Sequence, residues 1–304
     1  MIDLHMHSTI SDGTDDPAGL ARKVIAAGLS AAALTDHDSV EGSDTFAGLL
    51  SDAGIEAVRG CEISCLQDDG ERSAHLLCYF IGEGPDELHE TLDSLRDDRA
   101  TRNTRLIDKL TEVGYPLDPA RVEAIGHKPL IDAGRPHFAE ALIEAYPKEF
   151  TSINGVFSTL LGEGAAAYVP KARVSIADAT TTATASGAVT VLAHPLTTFC
   201  PWVDGMPLAP QRQAEILDDA FAAAATQGVS GAEAYYSRHS PDEVSMVAEL
   251  CEKHGLVATG GSDYHGAKKP DLAVGIGVKS WRGTTAQLRV PDDALEQLRA
   301  RLPR

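Results

Sequence analysis

The chain is short of basic residues, cysteines and long apolar runs, and each shortage excludes a class of protein. Lysine and arginine number 26 against 45 aspartate and glutamate, a formal net charge of −19. A field of that sign repels phosphate backbones and argues against broad nucleic-acid binding, while leaving room for a small anionic substrate at a local positive centre. The five cysteines, Cys61, Cys65, Cys78, Cys200 and Cys251, are odd in number and form no CxxC pair. Neither a disulfide framework nor a zinc knuckle is indicated, and buried free thiols are expected. No stretch approaches the roughly 18 apolar residues of a membrane span. The chain opens on the acidic, histidine-rich MIDLHMHS, not on a basic and then apolar leader, so a soluble, cytoplasmic protein without a membrane partner is expected.

What is present is enough apolar material for a large core: 304 residues, 43% of them hydrophobic. Short β-rich runs alternate with helical patterns: IDLHMH at 2–7, AAALT at 31–35, EAVRGCEI at 56–63 and AHLLCYFI at 74–81, then AVTVLAH at 188–194, SGAEAYY at 230–236 and LVATGGSD at 256–263. The later helical patterns stop at Gly228 and Gly255, as helix C-termini often do. This rhythm predicts an α/β barrel. Residues 85–165 read differently, as charged helices followed by short pieces broken by proline and glycine, and are expected to form a helical insertion or lid. Seven strand candidates therefore flank one insertion, with the barrel built from residues 1–84 and 166–304.

His5 and His7 lie two apart on the first strand, so their imidazoles project to one side, an arrangement suited to a metal. Asp12 follows in SDG at the mouth of the first loop, and Asp36 and His37 follow the second strand in LTDHD. Imidazole and carboxylate groups thus gather at one barrel face.

HMHSTISDGT followed by ALTDHDS resembles the first two motifs of the PHP family, the polymerase and histidinol phosphatase homologues. The later motifs keep the order: GCEIS around Glu62, AHLLCYF around His75, GRPHFA around Arg135 and His137, LAHP around His194, and GSDYHG around Asp263 and His265. The resemblance covers nearly the whole chain and implies a distorted seven-stranded barrel of PHP type holding three divalent ions. His5, His7, Glu62 and Asp263 correspond to the family's first metal site. Asp12, His37 and His265 correspond to the second, and Glu62, His75 and His194 to the third, with Glu62 bridging. Mixed imidazole and carboxylate shells suit zinc, manganese or ferrous iron and fit calcium poorly. Six positive charges against three carboxylate ligands would leave a local excess that attracts a phosphate dianion, and a metal-bridging hydroxide would be the nucleophile.

The same resemblance assigns Arg135 and His137, within the insertion, catalytic and phosphate-binding roles. Arg238 and His239 follow the sixth strand in YYSRHS and are expected to line the pocket with Tyr236, whose ring either stacks on a base or fills the barrel wall. Asp36 is expected to orient His37 or another imidazole; His89, His127 and His254 are expected to be solvated. The implied activity is phosphomonoester hydrolysis on nucleotides, 3′,5′-bisphosphates foremost. The alternatives are 5′–3′ trimming of short RNA, histidinol phosphate hydrolysis, and a metal-binding PHP module without turnover.

Overall fold

A computed structural model describes residues 1–200, 206–275, 277–278 and 289–303. Its main sheet contains β1 (Ile2–Asp3), β2 (Ala31–Leu34), β3 (Glu56–Leu66), β4 (Ser73–Tyr79), β5 (Val174–Ser175), β6 (Val189–Leu192), β7 (Gly231–Tyr236) and β8 (Val257–Gly261). All seven strands expected from the alternation are there, in the order β1, β2, β3, β4, β6, β7, β8, while the two-residue β5 pairs with β3 off this path. Beyond the ends of β1 and β8 the chain closes the ring: Leu4 N donates to Gly260 O, Asp263 N to His5 O and His7 N to Tyr264 O. The result is a nearly closed seven-stranded α/β barrel.

The first-third reading as a uniform β/α rhythm needs one correction. No helix separates β3 from β4; the chain turns back between Gln67 and Arg72, whose backbones are hydrogen-bonded. Consequently β4 runs antiparallel to both β3 and β6 in an otherwise parallel barrel. The reversed strand presents its beginning at the end where its neighbours finish. His75 is therefore delivered beside Ser64 of β3 and bonded through its carbonyl to Ala193, next to His194.

Local signals account for the helices that matter to the site. Asp16 caps the helix Pro17–Ala27, proline opens it, and Gly28 ends it in the left-handed region. The helix Pro241–His254 starts on a reciprocal Ser240 and Glu243 capping box and stops at Gly255, φ 68°. Inside the barrel Leu4, Ala33, Val58, Leu77, Val191 and Val257 pack around Tyr79, which is fully buried and donates its hydroxyl proton to Leu4 O at 2.8 Å. Outside, Leu20, Val24, Phe46 and Leu50 cover Ala32 and Leu34.

The chain divides into two compact units, residues 1–90 with 174–304, and residues 91–173. The second has a core of its own around Leu106, Leu110, Phe138, Leu142 and Leu160. Within it Asn103 Nδ2 donates to the carbonyls of Leu130 and Ala133 at 2.6 and 2.9 Å, pinning the irregular segment before the helix Arg135–Ala145. Among the described residues no helix is long and apolar enough to cross a membrane, and all five cysteines are free and buried.

Candidate metal centre

Glu62 stands at the middle of the site. A parallel bridge to His37 fixes its backbone on β3, and its side chain is 1% exposed. Its Oε2 lies 3.0 Å from His37 Nδ1 and 3.2 Å from His7 Nε2, and its Oε1 lies 3.0 Å from His75 Nδ1 and 3.1 Å from His194 Nε2. Asp263 Oδ1 faces His265, His7 and His5 at 3.3, 3.5 and 3.6 Å. Asp12 Oδ1 faces His265 Nε2 at 3.2 Å and the rings of His7 and His37 at 3.8 and 3.9 Å. The structure thus brings His5, His7, Asp12, His37, Glu62, His75, His194, Asp263 and His265 into one connected group.

Within it three overlapping sets have ligand atoms close enough to hold a cation: His7, Asp12, His37 and His265; His5, His7 and Asp263; and His37, Glu62 and His75. Two details fit a metal better than a hydrogen-bond network. His5 Nε2 and His7 Nε2 face each other at 3.1 Å, where at most one proton fits between them. His37 Nδ1 is buried and, despite its closeness to Glu62, makes no hydrogen bond.

The electrostatics point the same way. Burial would raise the pKa of Glu62, but His37, His75, His5 and His194 hold it well below the ordinary carboxylate value. Against similar burial, His265 and His37 hold Asp12 well below it, and Lys269, His265 and His5 do the same for Asp263. The carboxylates are therefore charged and available as ligands.

Backbone geometry is specialised where the barrel strands end. His194 and Asp263 sit at φ 30° and 54°, left-handed values rarely taken by residues with side chains. At Gly261 a Cβ would come within 2.4 Å of His5 Cβ, so only glycine lets the two strands approach.

Three supporting groups, Glu233, Thr198 and Lys269, escaped the sequence reading. Glu233, fully buried on β7, places both oxygens 3.1 Å from His5 Nδ1 and accepts from His194 N–H at 2.8 Å. Its only sequence signal was a lone acid in the apolar strand GAEAYY. Thr198 Oγ1 lies 3.1 Å from His194 Nδ1. Lys269 Nζ donates to Asp263 Oδ2, to which Tyr236 also donates its hydroxyl proton at 2.7 Å. Asp36 accepts from Ser8 N–H and from the hydroxyls of Ser8 and Ser11, and Ser11 Oγ lies 3.2 Å from His7 Nδ1. It organises the loop behind His7 instead of touching His37.

The expected substrate contacts are distributed as follows. Tyr236 is 5% exposed, and its ring lies 5.7 Å from that of His194. His239 is buried beneath it and hydrogen-bonded from Nδ1 to Ala234 O. Arg238 pairs with Asp271 at 3.2 Å. Arg135 and His137 belong to the unit of residues 91–173. The Arg135 guanidinium lies over the rings of Phe157 and Tyr168 and donates to Leu161 O, while His137 Nδ1 accepts from Gly134 N–H. His89 and His254, expected in solvent, instead pair with Asp86 and Asp218 at 2.7 and 2.6 Å.

A barrel whose strand ends converge imidazoles and carboxylates in this way is the architecture of a metal-dependent hydrolase. The chain belongs to the PHP domain family, whose model matches residues 3–158. Among its relatives is a 5′-3′ exoribonuclease of Haemophilus influenzae, 30% identical over 86% of this chain and 89% of the relative. A phosphoribosyl 1,2-cyclic phosphate 1,2-diphosphodiesterase of Eggerthella lenta is 28% identical over 87% of this chain and 94% of its own. A 3′,5′-nucleoside bisphosphate phosphatase of Chromobacterium violaceum is 28% identical over 96% and 99%. Among solved structures, an amidohydrolase from Chromobacterium violaceum with bound sulfate and no metal superposes with a TM-score of 0.78 at 25% identity, covering 100% of this chain and 97% of that one.

Proposed function

We propose that the protein is a metal-dependent phosphoesterase that removes a phosphomonoester from small nucleotides, 3′,5′-bisphosphates foremost. Three divalent ions would be held by His5, His7, Glu62 and Asp263, by Asp12, His37 and His265, and by Glu62, His75 and His194. The observation that carries the reading is Glu62: a single buried carboxylate lies within about hydrogen-bond distance of His7, His37, His75 and His194, on both of its oxygens. Manganese, zinc or iron bound there would supply Lewis acidity and a water-derived nucleophile at neutral pH.

The chain's own residues do the rest. Glu233 accepts a hydrogen bond from His5 Nδ1–H and leaves the Nε2 lone pair free, and Thr198 does the corresponding work at His194. Tyr236 and Lys269 hold Asp263 by its outer oxygen, so its inner oxygen faces the imidazoles. Arg135 and His137 are assigned to the phosphate oxygens of the substrate.

A second reading, 5′–3′ trimming of short RNA, is favoured by the exoribonuclease relative at 30% identity. The test is kcat/KM measured side by side for adenosine 3′,5′-bisphosphate, AMP, histidinol phosphate and a 5′-phosphorylated trinucleotide. The bisphosphate is expected to lead. AMP at or above the bisphosphate would remove the bisphosphate preference, the trinucleotide in first place would establish the second reading, and histidinol phosphate in first place would overturn the nucleotide assignment.

A further inference from the structure

The two loops that supply Asp12 and His265 are tied together behind the metal centre by three polar groups that all touch one another. Tyr264 stands between Asp263 and His265, and a parallel bridge to Met6 and a bond from His7 N to its carbonyl fix its backbone. It is 6% exposed, with its ring in the apolar cluster of Leu20 and Val24 from the helix Pro17–Ala27. Its hydroxyl donates to Asp15 Oδ2 at 2.8 Å and accepts from Lys23 Nζ at 2.6 Å, and Lys23 Nζ donates to the same Asp15 oxygen at 2.7 Å. Asp16 caps the helix, so capping does not account for Asp15.

Asp15 also closes the loop that carries Asp12. Thr9 N donates to Asp15 O at 2.8 Å, and Asp12 lies midway between them in the chain. One residue earlier, Thr14 Oγ1 accepts from Ala267 N–H at 2.8 Å, and a Cβ on Gly266, φ 66°, would collide with that oxygen. The first loop thus grips the last on both sides of His265, at Tyr264 and at Ala267, while Asp12 Oδ1 faces His265 Nε2 at 3.2 Å. An exposed lysine and aspartate alone would hold little. Here a buried hydroxyl completes the set, and each member fixes the other two.

We propose that Lys23, Asp15 and Tyr264 are positioning residues that hold Asp12 and His265 at the spacing a divalent cation needs, and so set affinity at the site of Asp12, His37 and His265. The inference rests on the metal reading of the barrel end. The three residues act on the ion only through the two loops.

The test titrates the metal-free full chain with Mn²⁺ against a competing chelator and counts ions bound per chain at each free concentration. Asp12→Asn identifies the ion that this site holds. Lys23→Met and Tyr264→Phe should bind that ion about tenfold more weakly, the lower end of the effect of removing a group that orients a metal ligand, and should bind the others as wild type does. Lys23→Met added to Asp12→Asn should cause no further loss, because both changes act on one ion. Lys23→Arg, which keeps the charge and the donors, should recover most of the affinity. Lys253→Met, at an exposed lysine paired with Asp218, should bind as wild type. In the metal-free chain, hydrogen exchange at the amides of Thr9 and Ala267 should be faster in Lys23→Met than in wild type.

Equal weakening of every ion in Lys23→Met and Tyr264→Phe would overturn the positioning role and make the three groups a brace of the whole fold. Affinities matching those of Lys253→Met would overturn it by reducing Lys23 to an ordinary surface pair, and unchanged exchange at Thr9 and Ala267 would overturn it by showing that the loops do not depend on it. If Asp12→Asn removed no ion from the wild-type count, the metal reading itself would fall, and the positioning role with it.

Discussion

Replacing Glu233 by Gln changes no volume, yet it should disable the proposed metal site. In the native structure both carboxylate oxygens lie 3.1 Å from His5 Nδ1 and one accepts from His194 N–H at 2.8 Å. A carboxylate only accepts, so it fixes the proton on His5 Nδ1 and directs the Nε2 lone pair toward Glu62 and Asp263, 3.5 and 3.6 Å away. A glutamine must keep its carbonyl on the His194 side, which turns its amino group toward His5. That donor now meets a donor, and the imidazole relieves the conflict by moving its proton to Nε2, where a ligand lone pair is needed. Loss of such a supporting partner typically weakens metal binding 10–100-fold, or about 1.4–2.7 kcal/mol. Competition of the folded variant against a chelator for Mn²⁺ or Zn²⁺ measures this directly, and kcat at saturating metal shows how much activity the ion restores. A variant that binds metal as tightly as wild type would refute the tautomer argument and reduce Glu233 to a buried charge without a task.

Four further outcomes are expected. Elemental analysis after reconstitution should give close to three divalent ions per chain, and a value that stays near one would remove the three-ion arrangement. Glu62→Gln should lose more metal and more kcat than His265→Ala, because Glu62 faces imidazoles on both oxygens whereas His265 serves Asp12 and Asp263; equal losses would deny the bridging role. In the metal-free chain the pKa values of Asp12, Glu62 and Asp263 are depressed, so their contribution is present above the ordinary carboxylate range and is lost as pH falls through the depressed values. Melting temperature should hold down to about pH 4 and drop below it, less steeply in Glu62→Gln, and a drop already between pH 7 and 5 would contradict those shifts. Thiol titration at pH 8 should label native protein scarcely at all, since the cysteines are buried and burial pushes Cys200 up to about 11 and Cys251 up to about 12.

The residues that converge on the site were legible because they fall at the ends of strands whose apolar alternation is plain, as with His5 and His7 after β1 and His194 after β6. The reversal of β4 was not. SAHLLCY carries the same alternation whether its neighbours run with it or against it, and only pairing decides. Glu233 was missed for a related reason: its partner His5 lies 228 residues away, and a single acid in a strand has no local signature. Lys269 and Tyr236 meet on Asp263 only because the chain folds back after β8.

Charge explains why a chain of net charge −19 can act on an anion. Without cations, the barrel end presents Asp12, Glu62, Asp263 and Glu233, all buried or nearly so, and among the described residues the Lys269 ammonium pairs with Asp263. Coulomb repulsion at such a centre is strong because water screens it poorly. Phosphate therefore has no reason to enter until divalent ions have reversed the sign, which makes substrate affinity at the barrel conditional on metal loading.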